Sequence, residues 1–122
     1  MKNKQKLPTE AQIQKFEMLD KLIDSIYHEM KEFSKKKPDE PLNKFKVKNI
    51  NRIIEPIKEI LKDEPTSEFL DFLDDETLPS NSDAILIIGQ FKASMEQFHS
   101  KYYLYDQGTG HRWSTQENPI LY

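Results

Sequence analysis

Asp106, His111, Arg112 and Trp113 crowd around Gly108 and Gly110, the densest set of chemically capable side chains in the sequence. Glycines at these positions can bare backbone N–H groups to an anion, Asp106 can orient His111, and Arg112 can grip a carboxylate or phosphate through its fork of donors. The motif itself is only Gly-X-Gly. It lacks the lysine and hydroxyl of a phosphate-binding loop and does not lie between a strand and a helix, so nucleotide binding is disfavoured and a hairpin tip braced by aromatics is favoured.

Other candidates are weaker. His28 and Glu32 stand four apart on one predicted helix face, a spacing that can share a metal, but two ligands do not make a zinc site, and no HExxH pattern accompanies them. His99 and Tyr103 have the same spacing and are expected to hydrogen-bond at the edge of a bundle. The acids Glu68, Asp71, Asp74, Asp75 and Glu76 lack the calcium-loop spacing and its glycine, and are read as a solvated helix end. No catalytic residue, cofactor site or metal site is therefore assigned, and the chain is read as not an enzyme. The absence of cysteine rules out disulfides, thiolate ligands and cysteine nucleophiles.

Charge is distributed unevenly behind a net value of -3. Residues 31–52 carry eight bases against three acids, whereas residues 53–83 carry two bases against ten acids. In the basic stretch, Lys44, Lys46, Lys48 and Arg52 alternate with Phe45 and Val47, which resembles a strip for tracking phosphates. Against a nucleic-acid role, the bases are 16 Lys and two Arg, and the overall pI is about 5.6. The opposed segments read first as solvated faces of two helices that differ in sign, and alternatively as a basic patch that meets an acidic partner or the acidic stretch of a second copy. No apolar run is long enough to span a bilayer, and the lysine-rich start has no apolar stretch behind it, so a cytoplasmic protein without membrane contact is expected.

The positioning elements are predominantly helical. Phe16, Leu19, Ile23, Ile26, Met30 and Phe33 recur every three or four residues, predicting a long helix near 9–36, opened at Pro8 or Thr9 and stopped by Pro38. Ile13, Leu22 and Tyr27 widen its stripe. Ala84, Ile88, Phe91, Met95, Phe98 and Tyr102 predict a second long helix near 82–103, with Ser80 as cap; Gly89 inside it suggests a close helix crossing. Between them, Leu42 to Leu61 follow a helical pattern interrupted by Pro56, which predicts a kinked or broken helix, and Pro65-Thr66-Ser67-Glu68 opens a short helix carrying Phe69, Leu70, Phe72 and Leu73. Aromatics on both sides of Gln107-Gly108-Thr109-Gly110 predict a small β-hairpin, followed by a tail with the apolar tip Pro119-Ile120-Leu121-Tyr122 that is read as flexible, with docking into a groove of its own domain or of a neighbour as the alternative.

The fold class expected is thus all-α: a small bundle of two long helices with a kinked and a short one over residues 1–105, and a hairpin with its tail over 106–122. The function expected is binding of another protein, as an accessory, regulatory or neutralising subunit. A homodimer is anticipated, because the wide stripe of the first helix needs more cover than the interrupted middle elements supply. A nucleic-acid-associated regulator using residues 35–52 is the first alternative; a small enzyme using Asp106, His111 and Arg112 is the second.

Overall fold

The computed structural model describes residues 6–121. Lys2 and Lys4 of the lysine-rich start, and Tyr122 of the apolar tip, lie outside the described residues. The chain forms α1 (Glu10–Lys36), α2 (Lys44–Ile60), a short 3-10 helix (Pro65–Phe69), α3 (Asn81–Tyr102), β1 (Tyr103–Asp106) and β2 (Gly110–Trp113). It is a small helical bundle with a two-stranded hairpin at its C-terminal side.

Each long helix starts on a side chain that satisfies an otherwise unpaired N–H group. Thr9 and Gln12 cap α1 reciprocally, Thr9 Oγ1 accepting from Gln12 N at 3.1 Å and Gln12 Oε1 from Thr9 N at 2.9 Å. Asn43 caps α2 through Lys46 N, and Ser80 caps α3 through Asp83 N. Ile13, Phe16, Leu19, Ile23 and Met30 of α1 are buried, as are Ala84, Ile88, Phe91, Met95 and Phe98 of α3. Most of the expected stripe is therefore core, with Ile26 and Phe33 of α1 partly buried against it.

The middle of the chain settles one alternative and departs from expectation in one place. α2 is continuous through Pro56, so the helix is not broken there and no new helix starts at Glu55. Its interior stripe of Val47, Ile50, Ile54, Ile57 and Leu61 is buried on both sides of the proline, and that packing outweighs the lost hydrogen bond at Pro56. The short helix expected to carry Phe69 through Leu73 ends at Phe69, and the chain then runs extended. Here the backbone finds side chains of α2 in place of helical partners. Lys58 Nζ donates to Leu70 O at 2.6 Å, and Asn51 both donates to Leu73 O and accepts from Leu73 N, each at 2.9 Å. Leu70 and Leu73 are buried beneath these bonds.

This acidic strap runs back along α2 to its start. There Leu42 N donates to Pro79 O at 2.8 Å, and the first residue of α3, Asn81, stitches down the turn after α1 by donating to Glu40 O and Lys37 O. Gly89 faces Tyr27 of α1, but a Cβ placed there would lie 3.9 Å from the ring, an ordinary contact. The crossing does not need the glycine.

The tail, expected to be flexible, is held by its own domain. Gln116 donates to Pro8 O and Leu7 O, Glu117 Oε1 accepts from Glu10 N in the first turn of α1, and Ile120 N donates to Ser114 Oγ. A carboxylate at a helix N-terminus meets both free N–H groups and a favourable dipole, which gives the tail a docking point.

Candidate functional site

The hairpin pairs Tyr103 with Trp113, Leu104 with Arg112, Tyr105 with His111 and Asp106 with Gly110. Side chains alternate along a strand, so Tyr103, Tyr105, His111 and Trp113 share one face, and Leu104, Asp106 and Arg112 share the other. Asp106 and His111 are thereby separated, and the expected orientation of His111 by Asp106 does not form. Asp106 instead accepts from Arg112 Nε at 2.8 Å, from Gly108 N at 3.1 Å and from Thr109 Oγ1 at 3.2 Å. The Gly108 N–H bond, followed by the Arg112 hydrogen bond, holds the Asp106 carboxyl below the usual carboxylate range.

Arg112 is equally engaged. Its Nη1 donates to Asn118 O at 2.6 Å and to Trp113 O at 3.1 Å, so the guanidinium clasps the hairpin to the tail. On the other face, Tyr103 stacks on His99 with ring centroids 4.6 Å apart, and Trp113 meets His99 and Tyr103 edge-on. The expected pairing of His99 with Tyr103 is thus a ring stack. Trp113 also donates from its indole nitrogen to Glu17 at 3.0 Å and packs on Phe16, fixing the hairpin to α1. Asp106, Arg112 and Trp113 hold the fold together, and His111 lies against Tyr103 and Tyr105.

His28 turns to the Asp24 carbonyl at 2.8 Å. Among the described residues, no group of three or more His, Cys, Asp or Glu is placed to hold a metal ion, and no helix is long and apolar enough to cross a membrane.

The basic residues sort differently on a helix than along a strand. Lys44, Lys48 and Arg52 stand four apart and form one exposed row on α2. Lys46 points elsewhere, its Nζ lying 4.1 Å from the centre of the Phe33 ring on α1. Among the described residues, no ion pair joins Lys44, Lys48 or Arg52 to the acidic strap.

Beside this row, α1 and α2 leave an open apolar groove of about 170 Å³, lined by Ile26, Met30 and Phe33 on one wall and Phe45, Asn49 and Ile50 on the other, with Glu29 and Lys46 at its rim. Phe45 stands 73% exposed at its edge. Leu22, also exposed, precedes Ile26 by one turn on α1. Reading the basic stretch by sign alone missed this groove. Phe45 and Ile50 fall within the helical pattern of Leu42 to Leu61, but only the pairing of α2 with the end of α1 shows that Phe45 is left exposed.

No protein-family model, no curated protein and no solved structure matches this chain.

Proposed function

We propose that this chain is a non-enzymatic protein-binding subunit of accessory, regulatory or neutralising type, working in the cytoplasm and docking its partner on the α1–α2 groove. The observation that carries this reading is the exposed Phe45 at the edge of an open apolar groove with Glu29 and Lys46 at its rim. An aromatic side chain at a small apolar depression with charge around it is the composition of an interaction hot spot. The groove is smaller than the roughly 300 Å³ at which small-molecule sites begin, and so suits a side chain of a partner better than a substrate. Asp106 and Arg112 being committed to each other also weighs against catalysis at the hairpin.

A photo-crosslinking amino acid in place of Phe45, compared with one at the exposed Lys21, tests the reading in cells. Protein adducts specific to position 45 are expected. Adducts at neither position, or nucleic acid alone captured at 45, would overturn it.

A further inference from the structure

We propose that the occupant of the groove is the acidic strap of a second copy of this chain, anchored by Phe69. This rests on the protein-binding reading above and names its partner. Phe69 closes the short helix from which the strap runs, stands 65% exposed, and lies next to Glu68 and two residues before Asp71. An apolar ring framed by acids complements the Phe45 edge of the groove, where Lys48 and Arg52 lie on the exposed side of α2 away from Asn49, while the charged residues in the groove's own lining are Glu29 and Lys46. Size agrees as well. A closed apolar cavity of about 150 Å³ accommodates benzene, so a groove of about 170 Å³ has room for one phenyl ring.

The same chain cannot supply that ring to itself. Its strap is sutured to Asn51 and Lys58, and at about 100° per residue these lie on the flank of α2 turned away from Phe45 and Asn49. Among the described residues, each copy therefore leaves this groove open and Phe69 uncovered. In a two-fold pair both contacts form at once, because every copy carries both halves.

Sedimentation equilibrium on the full chain at about 50 μM, far above the dissociation constant of a micromolar dimer, reads the outcome. A species of twice 14.5 kDa is expected. Phe69→Ala and Phe45→Ala should each raise the dissociation constant roughly tenfold or more, while Leu86→Lys, an exposed position on α3, should leave it unchanged. The double variants Lys48→Glu/Arg52→Glu and Asp71→Lys/Asp75→Lys should each dimerise poorly alone and recover when mixed. A monomer throughout would overturn this inference while leaving the crosslinking test of the protein-binding reading to stand or fall separately. A dimer indifferent to Phe69 and Phe45, or charge variants that fail to rescue one another, would overturn it equally.

Discussion

Asn51 binds the backbone of Leu73 through both ends of its amide, donating from Nδ2 to the carbonyl and accepting at Oδ1 from the N–H, each over 2.9 Å. A side chain on α2 thus stands in for the strand or helix partner that an extended segment otherwise requires. Asn51→Ala leaves both groups of Leu73 unpaired beside a buried side chain. The expected cost is about 1–3 kcal/mol, measured as a lower urea midpoint, with faster amide exchange confined first to residues 70–76. Unchanged exchange at Leu73 would show that the strap is held by Leu70 and Leu73 packing alone.

Gly89 predicts a gain. It lies in the interior of α3, and a Cβ there meets only the Tyr27 ring at 3.9 Å. Gly89→Ala should stabilise the protein by up to about 1 kcal/mol, by restricting the unfolded chain without strain in the folded one. Thermal denaturation checks the sign, and a lower midpoint would mean that α1 and α3 approach more closely than the Tyr27 distance allows.

Asp106 sets a pH dependence. Its folded-state pKa is lowered by the Gly108 N–H, and next by Arg112, from an ordinary value near 3.8. A lowered pKa means that the ionised form is favoured in the fold, so the contribution to stability is complete above that ordinary value and is lost as pH falls below it, through the folded-state pKa. Trp113, two residues beyond His111 on the aromatic face, is the sequence's one tryptophan and a natural reporter. Its fluorescence should report hairpin loosening only in the acid range, and Asp106→Asn should remove most of that dependence.

The long helices were legible because their stability comes from a periodic stripe that a sequence displays directly: Phe16 to Phe33 and Ala84 to Tyr102 are the buried faces seen in the fold. What escaped was decided by single polar contacts across long stretches of chain. Nothing near Leu73 announces Asn51, 22 residues away, and nothing in Glu117 announces the N–H of Glu10, 107 residues away. The separation of Asp106 from His111 was legible in principle. A three-residue turn at 107–109 pairs Asp106 with Gly110, and strand alternation then sends the two side chains to opposite faces. The groove was not legible, since it belongs to two helices together and to neither alone.

The cation row also permits a sharp test against nucleic acid. Lys44, Lys48 and Arg52 rise about 6 Å from one to the next along α2, so the row can neutralise about three phosphates. Lys46 adds little, being drawn onto Phe33. Three contacts on duplex DNA imply a slope of log affinity against log salt of about -2.7, and raising salt fourfold from about 50 mM would cut affinity about 40-fold. Arg52 is the one arginine of the row and is already counted among the phosphate contacts, so no second source of affinity offsets that loss. The expected result of a mobility-shift assay with duplex DNA or RNA near 50 mM salt is therefore no retained complex. A complex with a slope near -2.7 that disappears in Lys44→Glu/Lys48→Glu/Arg52→Glu but survives Lys46→Glu would transfer this face of α2 from a protein partner to a phosphate backbone.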